Sequence, residues 1–179
     1  GRSELVNFKN KQGIALQGML TYPAGYRKGK KYPMIVYIYE KRSQDLHLYY
    51  TPSEKHPYNP CVFSAEGYFV FQPDIVYRPQ QPGISAVECV VPAVEKVLES
   101  GMVDSRRIGL MGHSWGAYQT SFIVTQTDLF SAAVAGAPLT DLMSMSVSVY
   151  WNSGGTNARI FAQSQGRMNK PFWQDAENY

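Results

Sequence analysis

"GLMGHSWGAYQ", residues 109–119, decides how the rest of the chain is read. It runs from an apolar strand-like stretch through Gly112-His113-Ser114-Trp115-Gly116 into residues of helical pattern. G-x-S-x-G by itself is a common string. Between a buried strand and a helix it has the form of a nucleophile elbow, a sharp turn that carries an exposed serine. The chemistry dictates the neighbours. Gly112 and Gly116 leave room where a side chain would clash. Ser114 then projects its hydroxyl from the sheet's edge, and the Trp115 amide, at a helix N-terminus, faces the point where an oxyanion would form. The plainer alternative is a glycine-lined turn with an incidental serine. His113 adjoins Ser114, so its side chain points elsewhere and reads as a packing residue of the elbow, not a base.

Working outward, strands and helices alternate. "LVNF" and "IALQGMLTYP" alternate apolar and polar residues, as an opening antiparallel pair does. "YPMIVYIYE", Tyr32 to Glu40, is nearly continuous in β-branched and aromatic residues, the pattern of a strand covered on both faces. "GYFVFQPD", Gly67 to Asp74, repeats it and ends in a Pro-Asp turn. In "GISAVECVVPAVEKVLESG", Val87, Val90, Val94 and Val97 fall on one helical face, Ser85 and Glu88 have capping-box spacing, and Gly101 makes a C-cap. Pro92 predicts a kink there, or the helix's true first turn. "RRIGLMG", "WGAYQTSFIVTQT" and "SAAVAGAP" read as strand, helix and strand. The order β-β-β-β-α-β-α-β predicts an α/β fold around a mostly parallel sheet. After Pro138 the pattern weakens to local helical possibilities.

Bulk properties narrow the function classes. A net charge of +3, with lysines and arginines scattered, gives no nucleic-acid footprint. The densest basic stretch, "YRKGKKY" at 26–32, reads as a solvated loop before a strand. No apolar run has the length of a membrane span. Cys61 and Cys89 have neither metal-ligand spacing nor a disulfide framework, and no cofactor motif is present. The 13 tyrosines fit core packing better than a dedicated binding cleft.

Together these stretches resemble the catalytic domain of the prolyl oligopeptidase family of serine peptidases, which includes dipeptidyl and acylaminoacyl peptidases. The likeness runs from about Leu5 to about Tyr150 and is carried by "YPMIVYIYE", "GYFVFQPDIVYRPQQPG", "VEKVLESGMVDSRRIGLMGHSWGAYQTSFIV" and "FSAAVAGAPLTDL". It implies an α/β-hydrolase fold with an antiparallel N-terminal strand pair, and a peptide substrate. Ser114 would be the nucleophile, Trp115 would give a backbone amide to the oxyanion hole, and the Tyr39 hydroxyl would give the second donor. Leu139, Leu142 and Met145 match the region that walls the pocket for the residue before the scissile bond. For Tyr39 the alternative is a strand-end aromatic capping the core; for the other three it is ordinary packing.

The departures bear on mechanism. Glu40-Lys41-Arg42 replaces the small-residue turn that many members have after the tyrosine, and Ala117 replaces a common glycine. In α/β-hydrolases the triad follows the order serine, acid, histidine. His47 and His56 precede Ser114 and no histidine follows it. Asp128, Asp141 and Asp175 follow it but match no strand-end acid motif. The resemblance therefore implies that residues 1–179 are a partial domain lacking the last strands, the triad acid and histidine, and the family's β-propeller. Such a chain is expected to be inactive alone, and to expose a sheet edge near "SAAVAGAP" that invites self-association. An esterase or other α/β-hydrolase, and a non-catalytic module with this fold, remain open at this stage.

Overall fold

An apolar run such as residues 32–38 has no polar face to offer water, so it has to lie inside a sheet. In the computed structural model Met34, Val36 and Ile38 are fully buried on a strand with a partner on either side. The structure describes residues 2–49, 51–53, 55 and 58–179. In chain order the elements are β1 (Ser3–Lys9), β2 (Ala15–Thr21), β3 (Tyr32–Ile38), α1 (Pro60–Ala65), β4 (Phe69–Pro73), α2 (Pro82–Leu98), β5 (Val103–His113), α3 (Trp115–Ile123), β6 (Ala132–Gly136), α4 (Leu142–Val147) and α5 (Ala158–Gln163). They build one six-stranded sheet in the order β1-β2-β4-β3-β5-β6. β1 and β2 are antiparallel to each other and β2 is antiparallel to β4, whereas β4, β3, β5 and β6 run parallel. This is the mostly parallel sheet with an antiparallel N-terminal pair that the sequence predicts.

Register sets the site. Ile38 lies opposite Gly112, and His113 lies opposite Gly136. β3, β5 and β6 therefore end side by side, and Tyr39, Ser114 and Ala137 leave the sheet from neighbouring strand ends. Ligands of open α/β sheets bind at this carboxyl edge. β6 is the outermost strand on its side, with Val134 55% exposed.

α2 packs the sheet with Ala86, Val90, Ala93, Val94 and Val97, all buried. It begins earlier than the capping-box spacing predicts, with Pro82 in its first turn. The Ser85 hydroxyl instead accepts the Arg78 amide, and Glu88 pairs with Arg78 across 2.9 Å. The box fails because proline is already suited to a first helical turn, so no side-chain cap is needed there. Pro92 lies within the helix, which continues past it. A proline cannot donate to the carbonyl four residues earlier, and here the Lys11 amide bonds to that carbonyl, Glu88 O, at 3.0 Å. Gly101, at φ +70°, occupies the left-handed position after the helix.

α1 has no counterpart in the sequence reading. Its start is nevertheless written in Asn59-Pro60: the Asn59 side chain accepts from the Cys61 amide and Pro60 opens the helix. β5 extends well before the expected "RRIGLMG". Residues 27–31 are exposed, as a solvated basic loop should be. Tyr22, Tyr26 and Tyr32 pack edge-on or tilted around Phe69, with ring centroids 5.0–5.9 Å apart. Tyr22 is thus core, and Tyr26 and Tyr32 are half-buried against it. A second cluster of Trp115, Leu142 and Phe161, touched by Tyr39, Leu139 and Met145, fastens the segment after Pro138 to the carboxyl edge of the sheet. Burying three such side chains contributes about 2–3 kcal/mol each.

Candidate active site

Backbone geometry brings Ser114 forward. It adopts φ +55° and ψ −115°, a strained conformation for a non-glycine residue. Such strain costs about 1–3 kcal/mol and persists only where the surroundings enforce it. Here the Ser114 amide donates to Gly136 O at 2.8 Å, while its carbonyl accepts from the Ala117 and Tyr118 amides at 2.9 and 3.1 Å. The flanking glycines are there for space. A Cβ on Gly112 would collide with the Gly116 carbonyl, and one on Gly116 would collide with Ile38 O. Strand, elbow and helix approach too closely for any side chain.

Trp115 is the first residue of α3 and its ring is wholly buried, stacked on Tyr118 at 4.6 Å. An amide in the first helical turn has no acceptor within its own helix, and this one adjoins Ser114. Tyr39 lies one residue past β3. Its carbonyl accepts from Gln119 Nε2 at 2.6 Å and from the Tyr77 hydroxyl at 3.0 Å. Burial, then the Glu40 carboxylate, raises the pKa of Tyr77, which keeps it a protonated donor. The Tyr39 hydroxyl accepts from Gln165 Nε2 at 2.8 Å.

A cavity of about 420 Å³ opens at Ser114, lined by Leu139, Met145, Tyr150, Ile160, Phe161 and Gln165 among others, with no Asp, Glu, Lys or Arg. Of the three apolar residues singled out in the sequence, Leu139 and Met145 border this cavity, while Leu142, 4% exposed, packs behind it against Trp115 and Phe161. Gln165 carried no sequence signal. It lies 126 residues from the tyrosine it bonds, in a segment without periodicity.

His113 packs at the elbow against Tyr58. It is exposed, with its ring 5.2 Å from Tyr58 and Nδ1 3.3 Å from the Tyr58 hydroxyl. It also borders the cavity that opens at Ser114. His47 lies in the loop after β3, and His56 falls outside the described residues. Among the described residues no histidine ring hydrogen-bonds the Ser114 hydroxyl. Asp141 caps α4, accepting the Ser144 amide and hydroxyl, and those bonds hold its pKa below the usual carboxylate value. Asp175 accepts from Gln80 and Asn178, and Asp128 is exposed. No group of His, Cys, Asp and Glu that could hold a metal occurs among the described residues, and no helix is long and apolar enough to cross a membrane.

Comparison with known proteins gives this geometry its family. The sequence model described as "Prolyl oligopeptidase family" matches residues 80–169, half of the chain. "Prolyl endopeptidase FAP" of Bos taurus is 30% identical over 141 residues, covering 70% of this chain and 18% of the relative. "Uncharacterized peptidase YuxL" of Bacillus subtilis (strain 168) is 27% identical over 153 residues, covering 79% and 22%. The chain thus spans about a fifth of the length of these relatives. A Mycobacterium tuberculosis puromycin-hydrolyzing peptidase superimposes with a TM-score of 0.73 at 19% identity, covering 99% of this chain and 27% of that one. A Porphyromonas gingivalis dipeptidyl peptidase 4 gives 0.69 at 20%, covering 99% and 24%. The structural likeness establishes an α/β-hydrolase fold. With the match across the elbow and the segment after it, this chain belongs to the prolyl oligopeptidase family.

Proposed function

We propose that this chain carries the nucleophile and oxyanion half of a serine peptidase site, and that the protein cleaves peptides through an acyl-enzyme on Ser114. The observation that carries the reading is the enforced φ of +55° at Ser114, which places a serine on the wall of a cavity without Asp, Glu, Lys or Arg, next to the first residue of α3. Ser114 Oγ attacks the peptide carbonyl. The Trp115 amide and the Tyr39 hydroxyl donate to the oxygen as it gains charge, each such donor being worth roughly 10²–10³ in rate. The amine then leaves with a proton, and water releases the acyl group. Leu139, Met145 and Phe161 favour an uncharged side chain before the scissile bond, proline or alanine in size, consistent with relatives named as prolyl endopeptidases.

Serine attack needs a base, and neither His47 nor His113 contacts the Ser114 hydroxyl. In the serine, acid, histidine order of α/β-hydrolases, this reading assigns the base and the acid that orients it to other parts of the gene product. It expects negligible hydrolysis by residues 1–179 alone. Losing a triad base lowers kcat by an order of 10⁶ in comparable enzymes. The test uses the gene product that contains this chain, assayed in parallel on proline and alanine peptide anilides and on p-nitrophenyl esters. Anilide turnover abolished by Ser114→Ala supports a peptidase. Ester turnover without anilide turnover makes the protein an esterase of the same fold, and turnover of neither leaves a non-catalytic module.

A further inference from the structure

Around the Tyr39 hydroxyl, the structure points to a residue that acts on the oxyanion hole without touching the reacting carbonyl. Gln165 Nε2 lies 2.8 Å from Tyr39 Oη. An amide nitrogen can only donate, whereas a phenol both donates and accepts. With its lone pair engaged by Gln165, the Tyr39 oxygen keeps its own hydrogen for another acceptor. Gln165 helps to line the Ser114 cavity, and Tyr39 packs against the cluster of Trp115, Leu142 and Phe161 behind it. We propose that Gln165 is a positioning residue: it fixes the direction of the Tyr39 O–H so that the proton points at the developing oxyanion. The inference rests on the oxyanion role proposed for Tyr39.

The segment bearing Gln165 is held more firmly than a surface turn requires. α5 ends at Gln163, and the chain folds back through Gly166 N to Ile160 O at 3.1 Å, Met168 N to Phe161 O at 3.1 Å and Asn169 N to Ala162 O at 2.8 Å. Gly166 passes so close to the Phe161 backbone that no Cβ fits. Arg167 and Asn169 both take left-handed conformations, φ +55° and +65°. The Arg167 guanidinium then ties this turn to the two loops that flank Tyr39. It donates to Gln165 O at 2.6 Å and Glu40 Oε1 at 3.1 Å, and it lies 4.1 Å over the Tyr77 ring. The Arg167 carbonyl in turn accepts the Gln80 amide at 2.9 Å. Tyr39 is thus gripped twice, at its carbonyl by Gln119 and Tyr77 and at its hydroxyl by Gln165. Buried or packed rotamers of this kind are what hold a catalytic donor to its direction.

Gln165→Glu tests the proton's direction with almost no change of shape. A carboxylate only accepts, so it would draw the Tyr39 proton toward itself and away from the oxyanion. In the gene product that contains this chain, kcat on an alanine or proline anilide is expected to fall about 100-fold, matching loss of an oxyanion donor, with KM within about 3-fold. The deficit relative to the parent protein should shrink as pH falls toward the carboxyl pKa, near 4.3 in an unperturbed glutamate, because a protonated carboxyl can again donate to Tyr39. Tyr39→Phe alone should give a similar loss, and Tyr39→Phe with Gln165→Glu no more than Tyr39→Phe. Gln165→Met, which keeps the bulk and removes the donor, covers the case in which the charged variant does not fold; its kcat should drop about 10-fold. Unchanged kcat in both Gln165 variants, or losses that multiply in the double variant, overturns the positioning role while leaving the oxyanion role intact. If Tyr39→Phe itself has no effect, the oxyanion assignment fails and this inference with it.

Discussion

Gly112→Ala probes the elbow directly, and its cost can be worked from the geometry. The added methyl would overlap the Gly116 carbonyl carbon and oxygen and approach Thr120 Oγ1 to 2.8 Å. Two of these three obstacles are backbone of α3, which cannot rotate aside, so the helix has to shift along its whole contact with β5. Overpacking of this kind costs about 1–3 kcal/mol, and immovable neighbours put it near 3. Alanine also restricts the unfolded chain, which returns about 0.4–1 kcal/mol. The net is about 2 kcal/mol, or roughly 4–8 °C in Tm for a chain of this size. Gly109→Ala is the control: on the same strand, its methyl meets only Ile35 Cδ1 at 3.2 Å and Ala132 O at 3.8 Å, and a side-chain end can yield. It should move Tm by less than about 2 °C. Thermal unfolding followed by circular dichroism reads both. Equal shifts in the two variants, or none in Gly112→Ala, would refute the tight strand–elbow–helix crossing as the reason for glycine.

Asp74 is 6% exposed and accepts from the Arg42 amide, the Ser43 amide and the Ser43 hydroxyl at 2.6–2.8 Å. Asp74→Ala strands those donors beneath the loop after Tyr39, so urea unfolding should report a loss of about 2–4 kcal/mol, and hydrogen exchange at residues 40–45 should accelerate. Burial raises the Tyr22 and Tyr118 hydroxyls to about 12. Their neutral forms favour the fold fully below pH 10, and that contribution is lost as pH rises from 10 through 12; tyrosinate absorbance and loss of the circular dichroism signal should rise together across that window. The Ser144 bonds depress Asp141, so its contribution to α4 is present above the unfolded carboxylate pKa and fades as pH falls below it. Asp141→Asn should remove that acid-side slope from a stability-versus-pH curve.

The sheet was legible because its physics is local. Residues 32–38 and 69–73 are too apolar to face water, and the valines of α2 repeat at helical spacing. The elbow was legible for a similar reason, since Gly112 and Gly116 occur where only glycine fits. What escaped depends on partners distant in sequence. Ser85 and Glu88 match a capping box, yet Arg78, from the preceding loop, uses both. Pro92 reads as a kink or a first turn until the Lys11 amide is found on the carbonyl it frees. Leu139, Leu142 and Met145 look alike in sequence, and only the fold separates the two beside the cavity from the one behind it. Gln165 meets Tyr39 through a turn defined by backbone contacts, with no side-chain pattern to announce it.

The most direct test of Ser114 as nucleophile is to trap its acyl intermediate. The gene product that contains this chain is mixed with an alanyl or prolyl p-nitrophenyl ester, quenched in acid within the first turnover, digested and mapped by mass spectrometry. The expected result is the acyl mass on Ser114, appearing with a burst of p-nitrophenol and absent from Ser114→Ala. Turnover that persists in Ser114→Ala, or an acyl group on another residue, contradicts the assignment.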